Sequence, residues 1–153
     1  SALTSQLSAL SSQPSIVFLP YQPLDQIRYS LSAADLHIVS LGDNMSGIVH
    51  PCKIYGALSI GRPVLALGPK ESYLNDIVET ESGERREETR ETSGIGWAIE
   101  HGDVAAAVAA LKEAAGQTQQ ERAGIGRRAK QIATEKFGRE QLVQLFLKTI
   151  WDD

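Results

Sequence analysis

Short apolar runs alternate along this chain with longer stretches in which apolar residues recur three or four positions apart. The runs Ile16–Leu19, Leu36–Ser40, Val64–Leu67 and Gly96–Ile99 are brief and bounded by turn residues, which predicts buried strands. The periodic stretches predict helices. Leu3, Leu7 and Leu10 suggest one ending near Ser11, and Ile27 and Leu31 mark a second over Leu24–Ala34, closed by Asp35. Pro51–Ile60 and Tyr73–Val78 follow, then Val104–Ala115 behind the capping residue Asp103. Gln119–Phe137 carries Ile125, Ala129, Ile132 and Ala133 on one face, and Glu140–Ile150 is amphipathic through Leu142, Val143, Leu145 and Phe146. Strands alternating with helices predict an α/β fold with a doubly wound, mostly parallel, Rossmann-like sheet.

The stretch from His50 to Val64 has the most explicit punctuation. Pro51 stands where a first helical residue belongs, because its missing N–H has no helical partner to lose. Gly61 stands where a left-handed residue is wanted, and Pro63 forbids continuation. Lys53 lies in the first turn, where the helix dipole disfavours a cation. An anion held by the N–H groups of Cys52, Lys53 and Ile54 would explain it. With a strand before, the Gly42–Gly47 loop, and a strand after, this is the layout of a phosphate-binding βαβ unit. The alternative, a plain βαβ unit with a surface lysine, stays open.

Composition narrows the classes. The chain has 153 residues, enough for one domain with its own core, and is 42% hydrophobic. A net charge of −4 argues against nucleic acid as a partner. One cysteine excludes an internal disulfide and suits a reducing, cytoplasmic setting. No apolar run spans a bilayer; peripheral membrane association of a longer parent, at the cytoplasmic face, stays open although it is not written in the residues. His37, His50 and His101 lack metal-ligand spacing, so neither a metal nor a cofactor is expected. Glu79–Ser93 holds six glutamates and three arginines with no large apolar side chain, and reads as a charged, solvated insertion.

Other motifs are weaker. Gly124-Ile125-Gly126 matches a dinucleotide fingerprint in letters but sits inside a helical pattern instead of after a strand. Cys52 beside Lys53 could be an activated thiol or merely a small residue at a binding site. Asp25, Asp35, Asp43, Asp76 and Asp103 have no spacing that joins two of them as an acid–base pair, and no catalytic residue emerges. Tyr21 and Gln22 follow the first strand at its carboxyl end, where ligands of open α/β sheets bind.

Phe18–Pro23, Ala33–Val39 and above all Pro51–Val64 resemble the group 1 glycosyltransferases, which have the two-domain GT-B architecture and include polysaccharide enzymes of the colanic acid type. Gly94–Ile99 followed by Gly102-Asp103, and the Arg127–Phe137 helix followed by Glu140, are similar to later parts of that family. The resemblance runs from about Ile16 to Ile150. It implies the donor-binding, C-terminal half of a retaining glycosyltransferase for cell-surface polysaccharide or lipopolysaccharide. The donor diphosphate would lie near Ser46, Gly47 and Lys53, with Tyr55 and Gly56 on the same helix, and the nucleobase near Pro20, Tyr21 and Gln22. A sugar or lipid-linked acceptor would sit on a separate N-terminal domain, with no essential metal. Gly56 stands where many members carry a ribose-binding glutamate. By this resemblance the chain is a truncated domain lacking two central strands, with an open sheet edge that a second chain could cover. A phosphate-binding module and a GT-B-fold nucleotide-sugar epimerase are the alternatives.

Overall fold

The computed structural model describes residues 17–80 and 94–151. Helix α1 covers Ile27–Ser32, strand β1 His37–Ser40, and a single 3₁₀ turn Asp43–Met45. Helix α2 (Lys53–Ile60), β2 (Val64–Leu67), α3 (Tyr73–Thr80) and β3 (Gly96–Ile99) follow. Three helices close the chain: α4 (Val104–Gly116), α5 (Gln119–Glu135) and α6 (Arg139–Trp151).

The strands form one parallel sheet in chain order, β1-β2-β3. Val39 stands opposite Ala66, and Ala66 opposite Ala98, so these three point to one face. On that face Ile54, Ala57 and Leu58 of α2, Leu74, Ile77 and Val78 of α3, and Ala129 and Ile132 of α5 close the core. Each fully buried Ile, Leu or Val there stabilises the fold by about 1.5–3 kcal/mol, so this face carries most of the stability. The pleat sends Ile38, Leu65 and Trp97 to the other face. There Leu65 is buried, and the Trp97 indole N–H donates to Glu113 Oε2 of α4 at 3.1 Å. Ile38 is 57% exposed, so the second face is open at β1. The architecture is α/β with a small three-stranded parallel sheet among the described residues.

The end of α2 forms as its residues dictate. Gly61 is left-handed (φ 72°, ψ 51°). Its N–H donates to Leu58 O at 2.9 Å, and the Arg62 N–H donates to Ala57 O at 3.1 Å. Asp103 caps α4 by accepting from the Ala106 N–H at 2.9 Å.

Several expectations need correction. Val17–Leu19 form no strand and are more than half exposed, because the described sheet offers them no neighbour; Ile16 and the Leu3–Ser11 helix lie outside the described residues. Helix α1 is shorter than Leu24–Ala34, since residues 24–26 are a turn. Glu79 and Thr80 belong to α3, so the charged insertion loses its first two residues; the remainder lies outside the described residues. Helix α2 starts at Lys53, two residues after Pro51. The apolar residues of α6 remain exposed among the described residues.

Candidate functional site

Parallel strands bring their carboxyl ends to one edge of the sheet, and the following loops gather there. Two hydrogen bonds tie these loops together. Ser46 Oγ, after β1, donates to the Glu71 carbonyl after β2 at 2.8 Å. His101, after β3, places Nδ1 2.6 Å from Asp43 Oδ1 in the β1–α2 loop. Gly47 turns this loop at φ 74°, a left-handed conformation that suits glycine.

The loop leads into α2. Cys52 is its N-cap and makes no side-chain cap. The anion site expected from the N–H groups of Cys52, Lys53 and Ile54 is only partly available. The Cys52 N–H already donates to His50 O at 2.9 Å, and the Ile54 N–H to Pro51 O at 3.2 Å. These local bonds tighten the first turn, which is why the helix begins past Pro51. The Lys53 side chain is exposed and has no ion-pair partner among the described residues.

Tyr55, two residues further along the first turn of α2, organises a cluster drawn from four segments. Its hydroxyl is hydrogen-bonded to His50 Nε2 and lies 3.4 Å from the Tyr73 hydroxyl at the start of α3. The His50 and Tyr73 rings are 4.1 Å apart, and Phe137 meets the Tyr55 ring edge-on at 4.8 Å. Burial, then the hydrogen bond and charge of Tyr73, hold the Tyr55 phenol well above its ordinary range. It is therefore a neutral hydroxyl across the physiological range.

The remaining candidates fall differently. A Cβ on Gly56 would meet Leu31 Cδ1 of α1 at 3.2 Å, so this glycine has a helix-packing reason of its own. Tyr21 is 98% exposed and covers nothing; Gln22 Nε2 donates to Pro20 O at 2.8 Å. No hydrogen bond or ring contact among the described residues joins Pro20–Gln22 to the α2 opening. Cys52 is exposed with Sγ 3.5 Å from His50 O, while His50 Nε2 is engaged by Tyr55, so the thiol has no imidazole base. Gly126 packs against the end of α2, which explains the fingerprint letters without a ligand. Among the described residues no group of three His, Cys, Asp or Glu could hold a metal ion, and no helix is long and apolar enough to cross a membrane.

Sequence reasoning gave no site role to Asp43, His101, His50 or Tyr73; Asp43 and His101 are 58 positions apart and Tyr73 is 18 from Tyr55, while His50 is only five from it. It also missed Ser72, which caps α3 by accepting from the Asn75 N–H at 3.3 Å. The fold and site together define a parallel α/β protein with a cross-linked loop cluster over its strand ends. Comparison with protein-family models, with curated proteins and with solved structures finds no match.

Proposed function

We propose that this chain is the nucleotide-sugar-binding part of a retaining glycosyltransferase that builds cell-surface polysaccharide or lipopolysaccharide. The observation that carries the reading is the position of Lys53. It is an exposed ammonium at the opening of α2, at the carboxyl edge of a parallel sheet, within the Pro51–Val64 stretch that resembles the group 1 glycosyltransferases. The donor diphosphate would lie between the Ser46–Gly47 loop and Lys53, its leaving-group charge stabilised by the ammonium and the helix start. Tyr55, neutral and held by His50 and Tyr73, stands beside that site. In this reading β1, β2 and β3 are strands four to six of a Rossmann-like GT-B domain. The acceptor belongs to a separate domain, and no metal is required.

Lys53→Ala should weaken nucleotide-sugar binding by about 1–3 kcal/mol, the range for a charged hydrogen bond. Calorimetry with a panel of uridine and guanosine diphosphate sugars measures it, and unchanged affinity would sink the assignment. A second reading is a non-catalytic nucleotide- or phosphate-binding module. It is favoured by the engagement of Asp43 with His101 and of Asp103 as a helix cap, which removes two carboxylates from chemistry. Nucleotide-sugar affinity without sugar transfer, in any chain that includes an acceptor domain, would decide for it.

A further inference from the structure

The β2–α3 loop touches both parts of the site proposed for the donor diphosphate. The Glu71 carbonyl accepts from Ser46 Oγ at 2.8 Å, which holds the Ser46–Gly47 loop. Two residues later, the Tyr73 ring packs against the imidazole of His50, with 4.1 Å between ring centres, just ahead of the opening of α2. The loop itself is pinned at its base. Ser72 Oγ accepts from the Asn75 N–H at 3.3 Å, and Asn75 Nδ2 donates to Lys70 O at 3.4 Å. Ser72 and Asn75 are 4% and 2% exposed, so these bonds are shielded from water and Tyr73 starts from a fixed position.

His50 carries that contact on to Lys53. Pro51 biases the residue before it to extended backbone. The His50 carbonyl accepts from the Cys52 N–H at 2.9 Å. Its Nε2 is hydrogen-bonded to the Tyr55 hydroxyl, and the two rings stack with centres 5.4 Å apart. The Tyr55 N–H donates in turn to Cys52 O at 3.2 Å. Lys53 thus stands between two residues bonded to His50, one through its backbone and one through its side chain. Cys52 makes no side-chain cap, and the first turn of α2 holds no acidic residue. The contacts of His50 therefore do here what a capping side chain does at other helix starts.

We infer that Tyr73 is a positioning residue for diphosphate binding: its ring holds His50, and His50 fixes the turn that presents Lys53. The inference rests on the nucleotide-sugar reading and adds to it two residues, His50 and Tyr73, that act through Lys53. Without the Tyr73 ring, the His50 imidazole loses its packing and the turn populates other arrangements. Only the competent fraction binds, so the apparent affinity falls by that fraction. The ring is the part that matters. The Tyr55 and Tyr73 hydroxyls are 3.4 Å apart, beyond the usual O–H···O range, whereas the Tyr73 and His50 rings are in direct contact. Tyr73→Phe keeps that contact, and Tyr73→Ala removes it.

Calorimetric titration with uridine diphosphate and with guanosine diphosphate tests it in a double-mutant cycle. Tyr73→Ala should weaken binding by about three- to tenfold, and Tyr73→Phe should bind as the unaltered chain does. In a Lys53→Ala background, Tyr73→Ala should add less than about a twofold loss, because the ammonium it positions is already gone. Tyr73 is 44% exposed, so melting of the single variants should stay close to that of the unaltered protein. Unchanged affinity in Tyr73→Ala overturns the inference. So does a loss of the same size with and without Lys53, or a loss in Tyr73→Phe equal to that in Tyr73→Ala. In each of these cases a weakened Lys53→Ala leaves the diphosphate site standing. Full affinity in Lys53→Ala, or no binding of either nucleotide to the unaltered chain, removes the site itself and the inference with it.

Discussion

Gly126 of α5 rests on the carbonyl oxygen of Gly61, so closely that a Cβ on Gly126 would stand 2.4 Å from that oxygen. This contact locks α5 against the end of α2 and thereby sets the angle of the helix that opens the candidate site. Gly126→Ala should improve helix propensity by about 1 kcal/mol. The neighbour is backbone and cannot swing away, so overpacking of about 1–3 kcal/mol should win. A lower urea midpoint with an unchanged slope would show it; a raised midpoint would mean that the helices separate freely.

Helix α5 also opens on a reciprocal cap. The Glu121 N–H donates to Thr118 Oγ1 at 3.3 Å, and Glu121 Oε2 accepts from the Thr118 N–H at 2.7 Å. The Thr118 backbone hydrogen bond, then its hydroxyl, hold the Glu121 carboxyl below the usual range. A carboxyl lowered in the folded state contributes stability above its unfolded pKa of about 4.5, lost as the pH falls through the folded value. Glu121→Gln should therefore flatten the acid limb of the stability curve below about pH 4.5. Urea midpoints measured across that range check it, and an identical limb in the variant would dismiss the carboxylate as its source. By comparison Asp103→Ala, which removes the α4 cap, should cost about 1 kcal/mol at neutral pH.

Tyr55 sets the opposite limb. Its phenol is raised above its usual value of 10, so the folded state holds that proton more tightly than the unfolded state does. The associated stability is fully present below about pH 10 and drains away as the pH rises through the folded value. Tyr55→Phe should lose about 1 kcal/mol at neutral pH with its hydrogen bonds to His50 and Tyr73. Above pH 10 the variant should then change less steeply than the parent, and thermal melting along the alkaline series measures both effects.

Where the relevant physics is local, the residues announced it. Val64–Leu67 and Gly96–Ile99 are strands over the expected residues, and Gly61 and Asp103 end and begin their helices because each acts within four positions of itself. The Thr118–Glu121 cap is just as local, a threonine followed three residues later by a glutamate, yet it went unread. Pro51 misled because propensity does not record that the Cys52 N–H turns back to His50. Val17–Leu19 misled because an apolar run states a preference, while a strand needs a neighbour. The site was least legible. Tyr55 and Tyr73 are 18 positions apart, and Asp43 and His101 are 58 apart. No spacing rule reaches that far; only the parallel order of three strands brings their loops together. Gly126 shows the converse, a ligand-like motif explained by packing.

The Asp43–His101 pair separates the stability of the fold from the order of the site. Both side chains are about a third or more exposed, so solvent screens the pair and its contribution to global stability should be under about 1 kcal/mol. Its position matters more, since it fastens the β1–α2 loop to the β3–α4 loop across the end of β2. Asp43→Asn should leave the melting temperature almost unchanged while amide exchange in residues 42–47 speeds up, because local opening needs far less free energy than unfolding. If the Ser46–Gly47 loop receives the donor diphosphate, nucleotide-sugar affinity should fall in the same variant, with the loss in binding and not in folding. Faster exchange with full affinity would separate loop order from donor binding, and unchanged exchange would reduce the pair to a solvated surface contact.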